Sequence, residues 1–307
     1  MSKVDNVLSQ IRDLINWGWL QETLLEDKIS WNRLCTCLDT ISDVEVAVRE
    51  FQELNKVNKY KYILIYGLLQ WLYLQQDTVS LLNLSIRWEK IDYKKTNIEI
   101  FSKVRMPRNH IIWHPANVRW EESSFFIISR PTISNIGFEI LKYLPESWWT
   151  EFDWVIFDEI IRIQSEWIYT ILVNIKKYLM NEIEQHKKQF DWDTLISYFP
   201  WLFSYHIQKL YEWIRRINYP LSGISLKSFR ESIEKIEEGL VKRYKDWHNQ
   251  QHEIMKIKHI IHVLNDYFIG DKALNEYDVE IYIDVLRKEF EELKEILEEI
   301  DSDFWSN

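Results

Sequence analysis

The stretch YKYILIYGLLQWLYLQQDTVSLLNLSIRW, from Tyr60 to Trp88, limits the fold more than any other segment. It has the length of a long helix and is apolar on nearly every side, so it has little polar surface to turn toward water. Such a helix requires others packed around it, which predicts a bundle with this segment at its centre. Its polar exceptions include Gln70, Gln75, Gln76 and Asp77. The 307 residues include only six glycines and six prolines, too few turn-formers for a protein of many short strands.

Apolar residues at three- and four-residue spacing predict earlier helices over roughly Val4 to Glu22 and Ser30 to Leu54. A polar loop near Asp92 to Thr96 leads into a fourth helix, which Pro115 should stop. The period then changes. SSFFIISRPTISNIGFEI is aromatic and β-branched around Arg130-Pro131 and Asn135 to Gly137, the pattern of a small β-hairpin. From Trp148 the helical rhythm returns, with segments near Thr150 to Lys188, Asp193 to Ile217, Leu226 to Tyr267 and Tyr277 to Ile300. The expected fold is mainly α: a helical bundle with a small β-hairpin insertion and a C-terminal half of long helices. Pro145 marks the expected boundary, separating residues 1–145 from residues 146–307. In the last helix Val279, Ile283, Leu286, Phe290, Leu293, Leu297 and Ile300 alternate by four and three, a stripe that has to pack on the protein's own body or on a partner helix.

Charge and cysteines narrow the functional classes. The formal charge is −10, but Asp271 to Asn307 hold 13 acidic and 4 basic residues, a net of −9 that leaves the remainder near neutral. The broad basic footprint of many nucleic-acid binders is missing, while a local basic site remains compatible. No apolar run has the length and lack of charge of a membrane span, and MSKVDNVLSQIRDLINW lacks the basic-then-apolar order of a signal peptide. The expectation is a cytoplasmic protein with no membrane partner. Cys35 and Cys37 are two residues apart in a helical stretch, so their side chains diverge by about 200° and suit neither a disulfide nor a shared metal.

The chemistry concentrates in VRMPRNHIIWHPANVRW, Val104 to Trp120, at the end of the fourth helix. A guanidinium grips a phosphate through two donors, and a histidine near neutral pH can take or give a proton. Together they suit phosphodiester cleavage by RNA's own 2′-hydroxyl, which needs no metal or other cofactor. On an α-helix Arg108 and His114 would project about 120° apart and rise about 9 Å. Two copies facing across a two-fold axis would bring both groups to one cleft, so a homodimer is expected.

RNHIIWH resembles the arginine, polar residue and histidine of the HEPN superfamily, fitting as Arg108, Asn109 and His114. IYGLLQWLYLQQD before it and HPANVRW with SFFIISRPTISNIGFEIL after it are similar to a bacterial branch with an upstream glutamine- and QQD-bearing helix and a downstream strand pair. The resemblance covers about Tyr60 to Tyr143. It implies a dimeric, metal-independent endoribonuclease of a toxin-antitoxin, abortive-infection or other antiviral defence system, acting on RNA and meeting an antitoxin or another defence partner. Arg108 would stabilise the phosphate, Asn109 would orient it and His114 would serve as acid and base. Members silenced by adenylylation carry a tyrosine two residues after the histidine. Here that place holds Ala116, so this control is not implied.

Plainer readings stand beside these. Arg108, Asn109 and His114 also suit a helix C-terminus, where basic groups meet the negative end of the macrodipole. His110, one turn before His114, either assists or is a hydrogen-bonded, partly buried side chain. Gln76 and Asp77 either support His114 from the neighbouring helix or satisfy buried backbone. Arg105 and Arg119 either hold the RNA backbone or are solvated. His248 and His252, like His259 and His262, share a helix face, but without nearby cysteines or an HExxH motif no metal is expected. A non-catalytic HEPN module, binding a partner or a nucleotide as a sensor or scaffold, is the alternative function.

Overall fold

The computed structural model describes residues 2–57, 60–92, 97–113, 116–119, 122–143, 150–190, 193–214, 219–244, 248–268 and 275–306. Helices dominate, as the scarcity of glycine and proline implied. The chain groups into two compact units, Met1–Asn181 and Glu182–Asn307.

Unit 1 opens with α1 (Lys3–Ile15), α2 (Gly18–Leu25), α3 (Lys28–Lys56) and α4 (Lys61–Arg87). Ser2 and Asp5 form a reciprocal capping box on α1, and the Asp27 carboxylate accepts from the Ile29 and Ser30 amides at the start of α3. The single helix expected over Val4 to Glu22 is two, because the chain turns at Asn16 and Trp17. α4 is the apolar segment. It buries Ile65, Leu68, Leu69, Leu72, Val79 and Leu82, but it is not enclosed on every side. A stripe containing Tyr62, Ile63, Tyr66, Leu74 and Leu81 remains exposed, Ile63 to 72 %. Both ends of α4 are closed by non-glycine residues in the left-handed region, Tyr60 (φ 59°) and Trp88 (φ 58°), as befits a chain so poor in glycine.

Residues 98–113 form α5, whose turns alternate in type: α over Ile98–Ile100, π over Phe101–Arg105, α over Met106–Arg108 and π over Asn109–Trp113. Pro107 gives a physical reason. It has no N–H to donate to the Lys103 carbonyl, and its ring crowds that carbonyl. The turn before it widens, and Met106 N–H bonds back to Phe101 O, five residues away. Pro115, the expected stop, lies outside the described residues.

The expected hairpin is the centre of a larger sheet, an antiparallel meander β1 (Ala116–Arg119), β2 (Glu122–Ile128), β3 (Gly137–Tyr143), β4 (Thr150–Ile156). Thr150 to Ile156 was expected to begin a helix. Instead TEFDWVI alternates along β4, which pairs with β3 from Gly137↔Ile156 to Tyr143↔Thr150. A Cβ on Gly137 would collide with the Val155 carbonyl, so this close strand approach requires glycine. The inner face places Phe138 against Phe157, which also meets Phe51 of α3. α6 (Phe157–Lys188) follows, and the division between units falls within it. Pro145 lies outside the described residues, and residues 150–181 group with the first unit because β4 completes its sheet.

Unit 2 contains a 3-10 turn at Leu195–Tyr198, then α7 (Phe203–Ile214), α8 (Tyr219–Tyr244), α9 (His248–Phe268) and α10 (Glu276–Ser306). The helix expected over Leu226 to Tyr267 is therefore two helices, α8 and α9. The heptad stripe of α10 is the spine of the core: Val279, Ile283, Leu286, Phe290, Leu293 and Leu297 are fully buried among residues of α7, α8 and α9. Among the described residues no helix is long and apolar enough to cross a membrane.

Candidate functional site

α4 and α5 meet along the motif. Gln70, Tyr73 and Asp77 are spaced three and four apart, which aligns them on one side of α4. Arg108 is only 5 % exposed. Its Nε and Nη2 donate to Gln70 Oε1 at 3.4 and 3.1 Å, its Nη1 donates to Asn109 Oδ1 at 3.2 Å, and its Cζ lies 3.8 Å from the centre of the Tyr73 ring. Arg105 uses the same ring, with Cζ 4.4 Å from the centre, and donates from Nη2 to Asp77 Oδ1 at 2.9 Å. Tyr73 thus gathers two guanidinium groups through the negative face of its π-system.

A groove of about 830 Å³ opens beside this cluster, lined among others by Tyr73, Asp77, Lys90, Arg105 and Asn109. Its volume is that of a small-molecule or nucleotide site. Because Asn109 Oδ1 accepts from Arg108, the Asn109 amide nitrogen remains a donor at the groove wall. The lining offers cationic and neutral donors, Arg105, Lys90 and Asn109, beside two carboxylates, Asp77, which is paired to Arg105, and Asp92.

The candidate residues do not all converge. Arg105, Arg108, Asn109 and Asp77 come together. Gln76 does not, since its Nε2 donates to Gln164 Oε1 at 2.7 Å in the core, where Gln164 also reaches Leu72 O and Gln75. Helical geometry already separates the two: Asp77 is about 20° from Gln70 around α4, Gln76 about 120°. The same arithmetic would have found Gln70 and Tyr73, which the sequence reading did not assign to the site. His114 lies outside the described residues, and of Arg119 only the backbone, in β1, is described. The α-helical estimate of the angle between Arg108 and His114 does not apply, because the residues between them form a π turn.

His110 faces the sheet. Its ring stacks on Phe126 with centres 3.6 Å apart and planes at 9°. Burial lowers its pKa, with Asp153 opposing and Lys142 adding to the shift. A histidine whose folded pKa is depressed binds its proton more readily when unfolded. Its contribution to stability is therefore complete above about pH 6.5, the unfolded value, and is lost as the pH falls toward the folded one. Thermal melts at stepped pH should show this decline. His110→Phe should flatten it in part, leaving the share of His206, whose pKa burial also lowers.

Elsewhere, burial pushes the Cys37 thiol up to about 11, which disfavours the reactive thiolate. No family model, curated protein or solved structure matches this chain.

Proposed function

We propose that the chain is a HEPN-type, metal-independent endoribonuclease of a toxin or antiviral defence system. The observation that carries this reading is the Arg108–Asn109 pair at a groove also lined by Arg105 and Lys90. Phosphate oxygens enter the groove and meet Arg105 and the Asn109 amide, while Arg108 holds that amide in place and contributes charge from behind it. The RNA 2′-oxygen attacks phosphorus and its proton leaves to a base. The bond to the 5′-oxygen breaks as that oxygen gains a proton, giving a 2′,3′-cyclic phosphate and a 5′-hydroxyl. His114 is assigned to this proton transfer by the motif.

A second copy of the chain is the proposed dimer partner. An apolar groove of about 620 Å³, lined by Tyr62, Ile63, Tyr66, Gly67, Gln70 and Ile112, adjoins the motif through Gln70. Pairing through it would cover the exposed stripe of α4 and bring two Arg108 sites near one axis.

The test is RNA cleavage in excess EDTA, with the product ends identified chemically. Cleavage with cyclic phosphate ends supports the reading, and loss of activity on chelation would refute it. Mixing Arg108 and His114 single variants should restore part of the activity if the site is shared between copies.

The burial of Arg108 favours a second reading, in which the site is a non-catalytic module that binds a nucleotide or a partner. Nucleotide binding without cleavage would select it.

A further inference from the structure

The groove beside the motif differs from one end to the other. α4 and α5 run antiparallel along it, since Arg108 meets Gln70 and Arg105 meets Asp77, so numbers fall on α4 as they rise on α5. Tyr73 and Asn109 therefore stand at one end, and Leu81 and Phe101 at the other. Tyr73 and Leu81 are eight residues apart, about 12 Å along a helix. Ile91 belongs to the far end, because its N–H donates to Ser80 Oγ at 3.3 Å. Apart from the Tyr73 ring, which lies under two guanidinium groups, the apolar lining is confined to that far end.

We infer that the far end is a base pocket: the groove takes one nucleotide lengthwise, with its phosphate on Arg105 and Asn109 and its base among Leu81, Ile91 and Phe101. The inference rests on the proposed placing of phosphate at the motif and adds to it what holds the rest of the nucleotide. Three observations favour this occupant over a free phosphate or an apolar ligand. The distance between the two ends is the reach of one nucleotide from its phosphate to the far edge of its base. The chemistry also changes in the matching order. Asp77 is midway, with Oδ1 accepting from Arg105, and the second oxygen of its carboxylate is an acceptor for a ribose hydroxyl. Finally, the apolar end has a polar rim. Lys90 and Asp92, on either side of Ile91, are exposed and offer the edge of a base one donor and one acceptor, while the flat faces of the base are covered by apolar side chains.

The test is calorimetric titration with adenosine 3′-monophosphate, which has no ester bond left to cut toward a cyclic product, and with adenosine and inorganic phosphate as its two halves. The full chain is compared with Leu81→Ser, Phe101→Ala and Arg105→Ala. Leu81 is exposed, so its replacement spares the core, and circular dichroism verifies that every variant is folded. The wild type is expected to bind the nucleotide roughly ten-fold or more tighter than either half. Leu81→Ser and Phe101→Ala should each weaken the nucleotide roughly five- to ten-fold while leaving inorganic phosphate unchanged, since burying or stacking a base contributes substantially. Arg105→Ala should weaken the nucleotide and phosphate together, and its nucleotide affinity should lose its dependence on salt. No binding by the wild type, nucleotide affinity no better than that of phosphate, or unchanged nucleotide affinity in both Leu81→Ser and Phe101→Ala overturns the base pocket. The nuclease reading fails separately. A protein that binds the nucleotide through both ends yet never cleaves RNA keeps the pocket and loses the nuclease, whereas cleavage of RNA with no gain from the base keeps the nuclease and loses the pocket.

Discussion

Asp301→Ala is expected to destabilise unit 2 by about 3–5 kcal/mol, the typical result of removing one partner from a buried ion pair. Asp301 is buried near the end of α10, and Arg243, at the end of α8, is only 1 % exposed. The carboxylate accepts from the backbone amides of Leu195 and Ile196 at 3.0 and 2.9 Å and from Arg243 Nη1. Arg243 also donates to the Asp193 carbonyl, lies over the rings of Phe190 and Phe304, and has its own carbonyl 3.0 Å from His186 Nε2. One carboxylate therefore fastens the 3-10 turn, α8 and α10 together. Its removal leaves a buried guanidinium without this partner and two amide donors unsatisfied, which costs more than the attraction alone. Urea denaturation followed by circular dichroism measures the loss. Asp301→Asn should fall between wild type and alanine, because it retains an acceptor but not the charge. Replacing both partners by apolar residues should recover part of the loss. A cost below about 1 kcal/mol for alanine would show that the network does not hold the unit together.

The second large effect is on the RNA cleavage that the proposed function assigns to the motif. His114→Ala and Arg108→Lys should each lower single-turnover RNA cleavage by about two to three orders of magnitude, the range seen when a proton-transfer group or a charge-stabilising donor is lost. Lysine keeps the charge of Arg108 but lacks the planar fork that reaches Gln70 and Asn109 together while lying over Tyr73. Arg108→Ala should in addition lower the urea midpoint, since it empties a nearly enclosed site beside the Tyr73 ring. Comparing the three separates chemistry from packing. If Arg108→Lys cleaves at the wild-type rate, the fork has no role in the transition state. Loss of stability without loss of cleavage in Arg108→Ala would make the residue a structural lock alone.

Periodicity along the sequence determined most of the helical content. The heptads of α10 predicted its buried face, with the first six positions fully buried and the last, Ile300, partly so, because a regular stripe on a helix this long can be satisfied in few ways. The capping groups at Ser2, Asp5 and Asp27 were already present as local chemistry, and the first two residues of RNHIIWH are the Arg108–Asn109 pair that stands at the groove. Other features depended on partners distant in the chain. TEFDWVI becomes a strand because β3 is there to pair with it, and its own pattern is too short to decide between strand and helix. The π turns of α5 follow from how the helix absorbs Pro107, which changes the direction of every side chain after it and voids the angle computed for a regular helix. Asp77 reaches the groove and Gln76 the core because α5 and α6 pack on different sides of α4. Only tertiary structure could join Arg243 to Asp301, 58 residues away, or leave one stripe of α4 and one face of the sheet uncovered. Sequence specifies which side chains have to be buried somewhere. Which of them find a partner depends on how the whole chain closes, since burial is settled by the sum of contacts rather than by any one segment.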